Sequence, residues 1–298
     1  MAAAARTPSG EILLLEGEHG ARFPDGNCLV IDDEIPTVID PATRRLDLER
    51  YQCKLGMGLV VNTHYHVDHT RFSSLFAGAD LAAHPLDAPA IGSIDVMAHM
   101  VGIEDKPWLP IWKSVMIEQW NYTPMEVTRL VNDGDEICLG KNTIRFIHLP
   151  GHTPGNMCVH LLEANEVYLA DVDLTPFGPW YGNRYSDIDA FLDSIERVKT
   201  LGADRWYTAH GEGVIVGDIT DRLDAFASVI DERESRILES LAEPKTLAGL
   251  IDEAIVYGKR WDPPEMFDYF EGTMVSKHLA RLERAGMVER DGDLFARA

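Results

Sequence analysis

Thr63-His64-Tyr65-His66-Val67-Asp68-His69-Thr70 places three imidazoles and a carboxylate within the six positions 64–69. The run before it, Gly58-Leu59-Val60-Val61-Asn62, is short and apolar and reads as a buried strand. In an extended segment alternate side chains share a face, so His64 and His66 point the same way. A turn after them lets Asp68 and His69 reach a second point nearby. Neutral imidazole and carboxylate together suit zinc, with iron or manganese as alternatives. The bland alternative is a polar loop rich in histidine. Against it, further residues of ligand type recur downstream: His152 in Pro150-Gly151-His152-Thr153-Pro154-Gly155, Asp171 after Val167–Ala170, and His210 in His210-Gly211-Glu212-Gly213.

Around these points the chain alternates strands and helices. Strands are expected at 12–15, 28–31, 37–39, 58–62, 81–83, 136–139, 143–149, 157–162, 167–170 and 206–209, and helices at 45–57 and 71–79. Ile188, Phe191, Leu192, Ile195 and Val198 recur at helical spacing over 187–201, with Ser186 or Asp187 as cap. The stretch 86–126, rich in Trp and Met and broken by prolines, reads as a helical insertion that fills a local core or lines a pocket. Beyond 218 the pattern turns helical. Leu223, Phe226 and Ile230 mark one helix, Leu247, Leu250 and Ile251 a second, and Val275, His278, Leu279 and Leu282 a third, before a hairpin around Asp291-Gly292. The reading is a first domain over 1–217 and a helical, winged-helix-like second over 218–298.

The chain of 298 residues is 45% hydrophobic, enough for a sizeable core, and carries a formal net charge of −22. That charge repels phosphate backbones, so nucleic acid is not expected as a partner. The scattered cysteines Cys28, Cys53, Cys138 and Cys158 form no CxxC pair and read as buried free thiols of a reducing compartment. Met1-Ala2-Ala3-Ala4-Ala5-Arg6 lacks the pattern of a secretory signal, and no run is long enough to span a bilayer. A cytoplasmic protein is expected, with a homodimer left open.

The complete HxHxDH, the Gly-His-Thr-Pro-Gly around His152 and the His-Gly at 210–211 closely resemble the metallo-β-lactamase fold superfamily over residues 11 to about 217. Within it the resemblance is to the glyoxalase II-like and β-lactamase-like branch with a C-terminal winged-helix-like tail. It implies an α/β fold, a four-layered αββα sandwich with two divalent metal ions, zinc first, at one edge. By resemblance His64, His66 and His152 hold one metal, Asp68, His69 and His210 the second, and Asp171 bridges them. Asp40 supports the site without binding metal. The family usually has Gly before the bridging Asp; here it is Ala170, which makes Asp173 a rival.

Two divalent cations about 3.5–4 Å apart lower the pKa of a bridging water, so hydroxide exists near neutral pH and attacks an ester-like acyl bond in a thioester, ester or lactone. Asp68 orients it and carries a proton. Phe177, Trp180, Tyr181 and Tyr185, with His99 of the insertion, are the substrate candidates, and Arg184 is read as a surface ion pair. His84 is considered as support for the site, and His19 and His278 as surface or tail residues. A nuclease using the same metals, with Lys277, His278, Arg281 and Arg284 facing nucleic acid, is the alternative reaction. A mono-iron oxidoreductase of the persulfide dioxygenase type is the third.

Overall fold

A computed structural model describes residues 10–298; the stretch Met1–Arg6, read for a signal, lies outside the described residues. The first sheet carries β1 (Glu11–Leu15), β2 (Cys28–Asp32), β3 (Thr37–Ile39), β4 (Leu59–Val61), β5 (Asp80–Ala83) and β6 (Arg129–Leu130), side by side in that order. β1 to β3 are antiparallel, and β3 to β6 are parallel. The second carries β7 (Glu136–Cys138), β8 (Thr143–His148), β9 (Met157–Leu161), β10 (Glu166–Tyr168), β11 (Arg205–Tyr207) and β12 (Val214–Val216), again in sequence order. Its one parallel pair, β10 with β11, needs a crossover, which the amphipathic helix α6 described below supplies.

Every buried strand uses both of its faces, because successive side chains point to opposite sides. Leu29, Ile31, Ile39 and Val61 face inward and meet Ile144, Phe146, Met157 and Val159 of the second sheet. The alternate residues Cys28, Val30, Val38 and Val60 face outward, beneath α1 (Arg45–Leu55) and the insertion. The result is a helix–sheet–sheet–helix sandwich, as expected.

The chain does not form a helix over 71–79. It turns earlier, into α2 (Val67–Thr70), followed by a short 3-10 turn at Ser73–Phe76. His66 is the extended residue before α2, and Thr70 Oγ1 donates back to its carbonyl at 3.1 Å. This early turn carries Asp68 and His69 into a second, adjacent group, with the His69 ring 4.0 Å from that of His64. The insertion is helical: α3 (Ala88–Gly92), α4 (Ile94–Val101) and α5 (Leu109–Ser114), running into a π-helical turn at Val115–Gln119. Met97, Trp112, Met116 and Tyr122 are buried in the outer core of the first sheet, so these side chains fill a core.

α6 (Ile188–Lys199) is capped by Asp187, which accepts the Ala190 N–H at 2.8 Å. The C-terminal part holds α7 (Thr220–Ser240), α8 (Leu247–Asp252) and α9 (Pro264–Arg284), with a small sheet of β13 (Lys245–Thr246), β14 (Val288–Asp291) and β15 (Leu294–Arg297). Its apolar faces merge with α6: Leu223, Phe226, Ile230, Val275 and Leu279 share one buried cluster with Phe191, Ile195, Val167 and Trp206. β6, β12 and β13 escaped the sequence reading; β6 and β13 are two residues long, and β12 is a three-residue strand close between Gly213 and Gly217. Of the four cysteines only Cys28 and Cys158 are buried; Cys53 and Cys138 are exposed, and all four are free thiols. Among the described residues no helix is long and apolar enough to cross a membrane.

Candidate metal centre

The ligand-type residues follow the C-terminal ends of strands that run the same way: Asp40 after β3, the 64–69 cluster after β4, His152 after β8, Asp171 after β10 and His210 after β11. Two backbone bonds tie the rims of the sheets together there, Met157 N–H to the Thr63 carbonyl (3.1 Å) and Asn27 N–H to the Ala209 carbonyl (2.7 Å).

Two groups assemble at this edge. His64, His66, His152 and Asp171 form one, and Asp68, His69 and His210 the other, with ligand atoms within 4.8 Å of one another in each. In the first, His152 Nε2 lies 3.2 Å from His64 Nε2 and 2.8 Å from His66 Nδ1, and those two are 3.0 Å apart. In the second, His210 Nε2 is 3.3 Å from Asp68 Oδ2. Asp171 touches both: Oδ2 is 3.1 Å from His152 Nε2, while Oδ1 is 2.8 Å from His69 Nε2 and 3.6 Å from His210 Nε2. Asp173 joins neither group and instead accepts the Thr175 N–H. Ala170, in the place usually held by Gly, adopts the left-handed φ of 50° that Gly would take freely.

Each imidazole is anchored through the nitrogen that points away from its group. His69 Nδ1 donates to Asp40 Oδ2 (2.8 Å), whose carboxylate also accepts the Thr63 N–H (2.8 Å) and hydroxyl (2.6 Å). His152 Nδ1 donates to the Trp180 carbonyl (2.9 Å), and His210 Nδ1 to the Ala21 carbonyl (2.6 Å). Since Thr63 Oγ1 gives its proton to Asp40, it accepts from His64 Nδ1 at 3.2 Å. His66 is reversed: its Nδ1 faces the group, so Nε2 carries the proton, toward the Asn183 amide at 2.6 Å. The atom at that point is Asn183 Nδ2, which donates to the Tyr65 hydroxyl at 2.7 Å and leaves Oδ1 buried without a partner; with the amide turned end for end its oxygen takes the His66 proton. Tautomer and ring orientation are thus set for all five histidines.

The two groups differ in charge. Burial, helped by the neighbouring His152, pulls His66 down to about 3, and burial also lowers His64 and His152, so these rings are neutral with lone pairs free. For His69 and His210 burial is outweighed by carboxylates: Asp171 and Asp40 raise His69 well above the ordinary range, and Asp68 with Asp171 lifts His210 to about 9. Burial would raise Asp68 and Asp171, but His210 and His69 hold the Asp68 carboxyl low, and His69, with His152 and His64, holds that of Asp171 low.

This donor set fits metal. With the tautomers assigned above, three neutral imidazole nitrogens converge with their lone pairs facing one another. His69 Nε2 and Asp171 Oδ1 are buried without a well-directed hydrogen-bond partner. Imidazole and carboxylate donors at two adjacent points suit two borderline divalent cations.

A profile described as the metallo-beta-lactamase superfamily matches residues 22–210. The chain belongs to that superfamily. Within it, the chain is 30% identical over 151 residues to the acyl-coenzyme A thioesterase MBLAC2 of Gallus gallus, which covers 48% of this chain and 51% of the relative. It is 26% identical over 149 residues to the atrochrysone carboxyl ACP thioesterase of Aspergillus fumigatus, over 50% of this chain and 33% of the relative. The matches therefore span about half or less of these curated relatives. The crystal structure of the metallo-beta-lactamase family protein TTHA1429 from Thermus thermophilus shares the fold at a TM-score of 0.70 and 21% identity, over 97% of this chain and 98% of that one.

Against this superfamily framework the substrate candidates scatter. Trp180 is half-buried beside the first group, its ring 5.5 Å from that of His66 and 5.7 Å from that of His152. Tyr181 is fully buried, its hydroxyl bonded to His278 and Arg233, so it offers substrate nothing. Phe177 packs on Arg233 and Tyr257. Tyr185 and His99 bond to each other at the surface (3.1 Å). Arg184 is the expected ion pair, with Glu104. His278 is a correction: it is wholly buried. His84 does not support the metal groups; it stacks on His148 at 4.3 Å.

Two supporting residues escaped the sequence reading. One is Asn183. The other is Asp87, fully buried, which accepts from the Thr153 hydroxyl (2.6 Å), the Gly155 N–H (2.7 Å) and the Tyr65 N–H (3.3 Å). It ties the loop of His64 and His66 to the loop of His152. A Cβ on Gly155 would stand 2.6 Å from its Oδ1, so only glycine permits that approach.

Proposed function

We propose that this chain is a dinuclear metal-dependent hydrolase of acyl thioesters, which it splits with water into a carboxylate and a thiol. The observation that carries the reading is Asp171, whose two oxygens face the two groups separately, as a carboxylate shared between two cations would. The thioesterase names of two relatives support the thioester over other ester-like acyl bonds.

His64, His66 and His152 would hold one ion, Asp68, His69 and His210 the other, and Asp171 both. When bound, such a pair supplies a water acidified to near neutrality and Lewis acidity at the acyl oxygen. The protein holds the donors in place through Asp40, Asp87, Asn183 and the carbonyls of Trp180 and Ala21. Asp68, nearly buried and held against His210, is the residue placed to keep and pass on a proton. The half-buried Trp180 ring shields one side of the first group from water and offers an apolar surface to the acyl portion. Zinc is the ion proposed, with iron or manganese as alternatives that elemental analysis of the purified protein separates.

The nuclease alternative loses its support on α9. Lys277 donates to the carbonyls of Arg184 and Ser186, His278 is buried, Arg281 pairs with Asp189 and Glu234, and Arg284 pairs with Asp189. Lys277, His278 and Arg281 are thus engaged within the fold, and Arg284 is held only in an exposed surface pair, which weighs against this face as a phosphate-binding surface.

A panel of acyl-coenzyme A thioesters, aryl esters and lactones, assayed with the zinc and manganese forms, tests the proposal. Thioester turnover that disappears in His66→Ala is the expected result. A metal-loaded protein that cleaves none of the panel sinks it.

A further inference from the structure

The outer supports of the first group come largely from one loop, residues 176–186. Its Trp180 carbonyl holds His152, its Asn183 amide holds His66, and Ser186 Oγ donates to the His152 carbonyl at 2.7 Å. His69 and His210 are oriented from elsewhere, by Asp40 and by the carbonyl of Ala21.

The loop contains no helix or strand to fix its shape. The C-terminal helices fix it instead. Arg233 of α7, only 1% exposed, donates through Nη2 to the Phe177 carbonyl (2.5 Å) and through Nη1 to the Pro179 carbonyl (2.7 Å) and the Tyr181 hydroxyl (2.8 Å). The Tyr181 hydroxyl in turn donates to His278 Nε2 of α9 at 2.6 Å, and His278 Nδ1 faces Glu234 Oε1 at 3.3 Å. Lys277 Nζ adds the carbonyl of Ser186 at 2.7 Å, and Trp180 Nε1 donates to the Tyr257 hydroxyl at 2.9 Å. Burying a guanidinium is unfavourable until its partners offset the lost hydration. A leucine would pack the same space without that cost. What the guanidinium adds is a rigid fork of donors that fixes three acceptors of one loop relative to one another.

We propose that Arg233, Tyr181 and His278 form a clasp through which the C-terminal helices set the orientation of His152 and His66. The clasp tunes the affinity of the first group for its metal and leaves the second group alone. These are positioning residues, acting through the 176–186 loop. The inference rests on the metal-centre reading and is independent of which acyl substrate is cleaved.

The test uses the full chain as wild type, Tyr181→Phe, His278→Leu, His278→Gln and Arg233→Met. Stepwise zinc dissociation constants are measured by competition with a chromophoric chelator, cobalt spectra are recorded, and folding is followed by circular dichroism and Tm. The step lost in His66→Ala identifies the first group. Losing an orienting partner weakens metal affinity about 10–100-fold, so Tyr181→Phe and His278→Leu should weaken that step about tenfold and shift the cobalt spectrum, with the other step unchanged within about twofold. His278→Gln, which keeps an acceptor for the Tyr181 hydroxyl, should recover most of the loss. Arg284→Ala, which breaks only a surface pair, should change neither step. Should Arg233→Met fail to fold, Tyr181→Phe, which removes a single oxygen, decides. Folded clasp variants with wild-type constants at both steps, or with equal losses at both, overturn the clasp alone. A wild-type chain that binds no metal overturns the metal-centre reading itself.

Discussion

The carboxylate of Asp87 lies 2.6 Å from the hydroxyl of Thr153, a residue 66 positions away and next to His152. Burial lifts the Asp87 carboxyl to about 7, even though the donors from Thr153, Gly155 and Tyr65 pull it back. The unfolded chain gives up this proton near 3.9. Between those values the folded form binds more protons than the unfolded form, so stability falls as pH rises. Metal-free protein should lose on the order of 4 kcal/mol between pH 4 and pH 8 from this group. Asp87→Asn should lack that component, and denaturant titrations of both proteins across the range measure it.

Metal binding should release protons unequally from the two groups. The rings of His64, His66 and His152 are already neutral, whereas His69 and His210 keep protons that a cation must displace. Zinc titration at pH 7 in weak buffer should show one step with almost no proton release and one releasing between one and two protons. The affinity of the second step should climb as pH rises from 7 toward 9. Equal release in both steps would contradict the charge assignment.

Asp68→Asn should discriminate between leaving groups. A thiolate, with a pKa near 8.5 for cysteine, departs with little help, whereas an alkoxide needs a proton. The substitution should slow an oxyester at least about tenfold more than the matching thioester. Comparing the two substrates on one preparation cancels any loss of metal.

Asn183→Leu should weaken the step that His66→Ala abolishes by about 10–100-fold, since His66 would lose the acceptor of its Nε2 proton. Chelator competition measures this, and Asn183→Asp, which keeps an acceptor oxygen, should lose less.

Removing metal should lower Tm. Ligands that bind only the folded form stabilise it by about 4 kcal/mol when free metal exceeds the dissociation constant 1,000-fold. Thermal unfolding with and without chelator reads this directly.

The metal groups were legible because histidine and aspartate after short apolar strands are an uncommon pattern, and strand ends on one rim bring them together. α6 was legible from its spacing alone. Asp87 was not: Asp in His84-Pro85-Leu86-Asp87 looks like turn chemistry, and its role exists only through partners 22, 66 and 68 positions away. Asn183 hides for the same reason in a glycine-rich loop. His278 could have been placed better, since the spacing of Val275, Leu279 and Leu282 already set it on the apolar face of α9. The turn after His66 was anticipated, but not its helical form over Val67–Thr70, because α2 is a single turn, too short to show periodicity.

Phe226 of α7 meets Phe191 of α6 edge to face, with ring centroids 6.2 Å apart. Beyond them Ile230, Val275 and Leu279 extend the same apolar layer. A polypeptide stopped at residue 217 would present a greasy shelf to solvent along the whole outer side of α6. Such a shortened product should clump on expression, and efforts to isolate the metal-binding half by itself would recover aggregates rather than a working fragment.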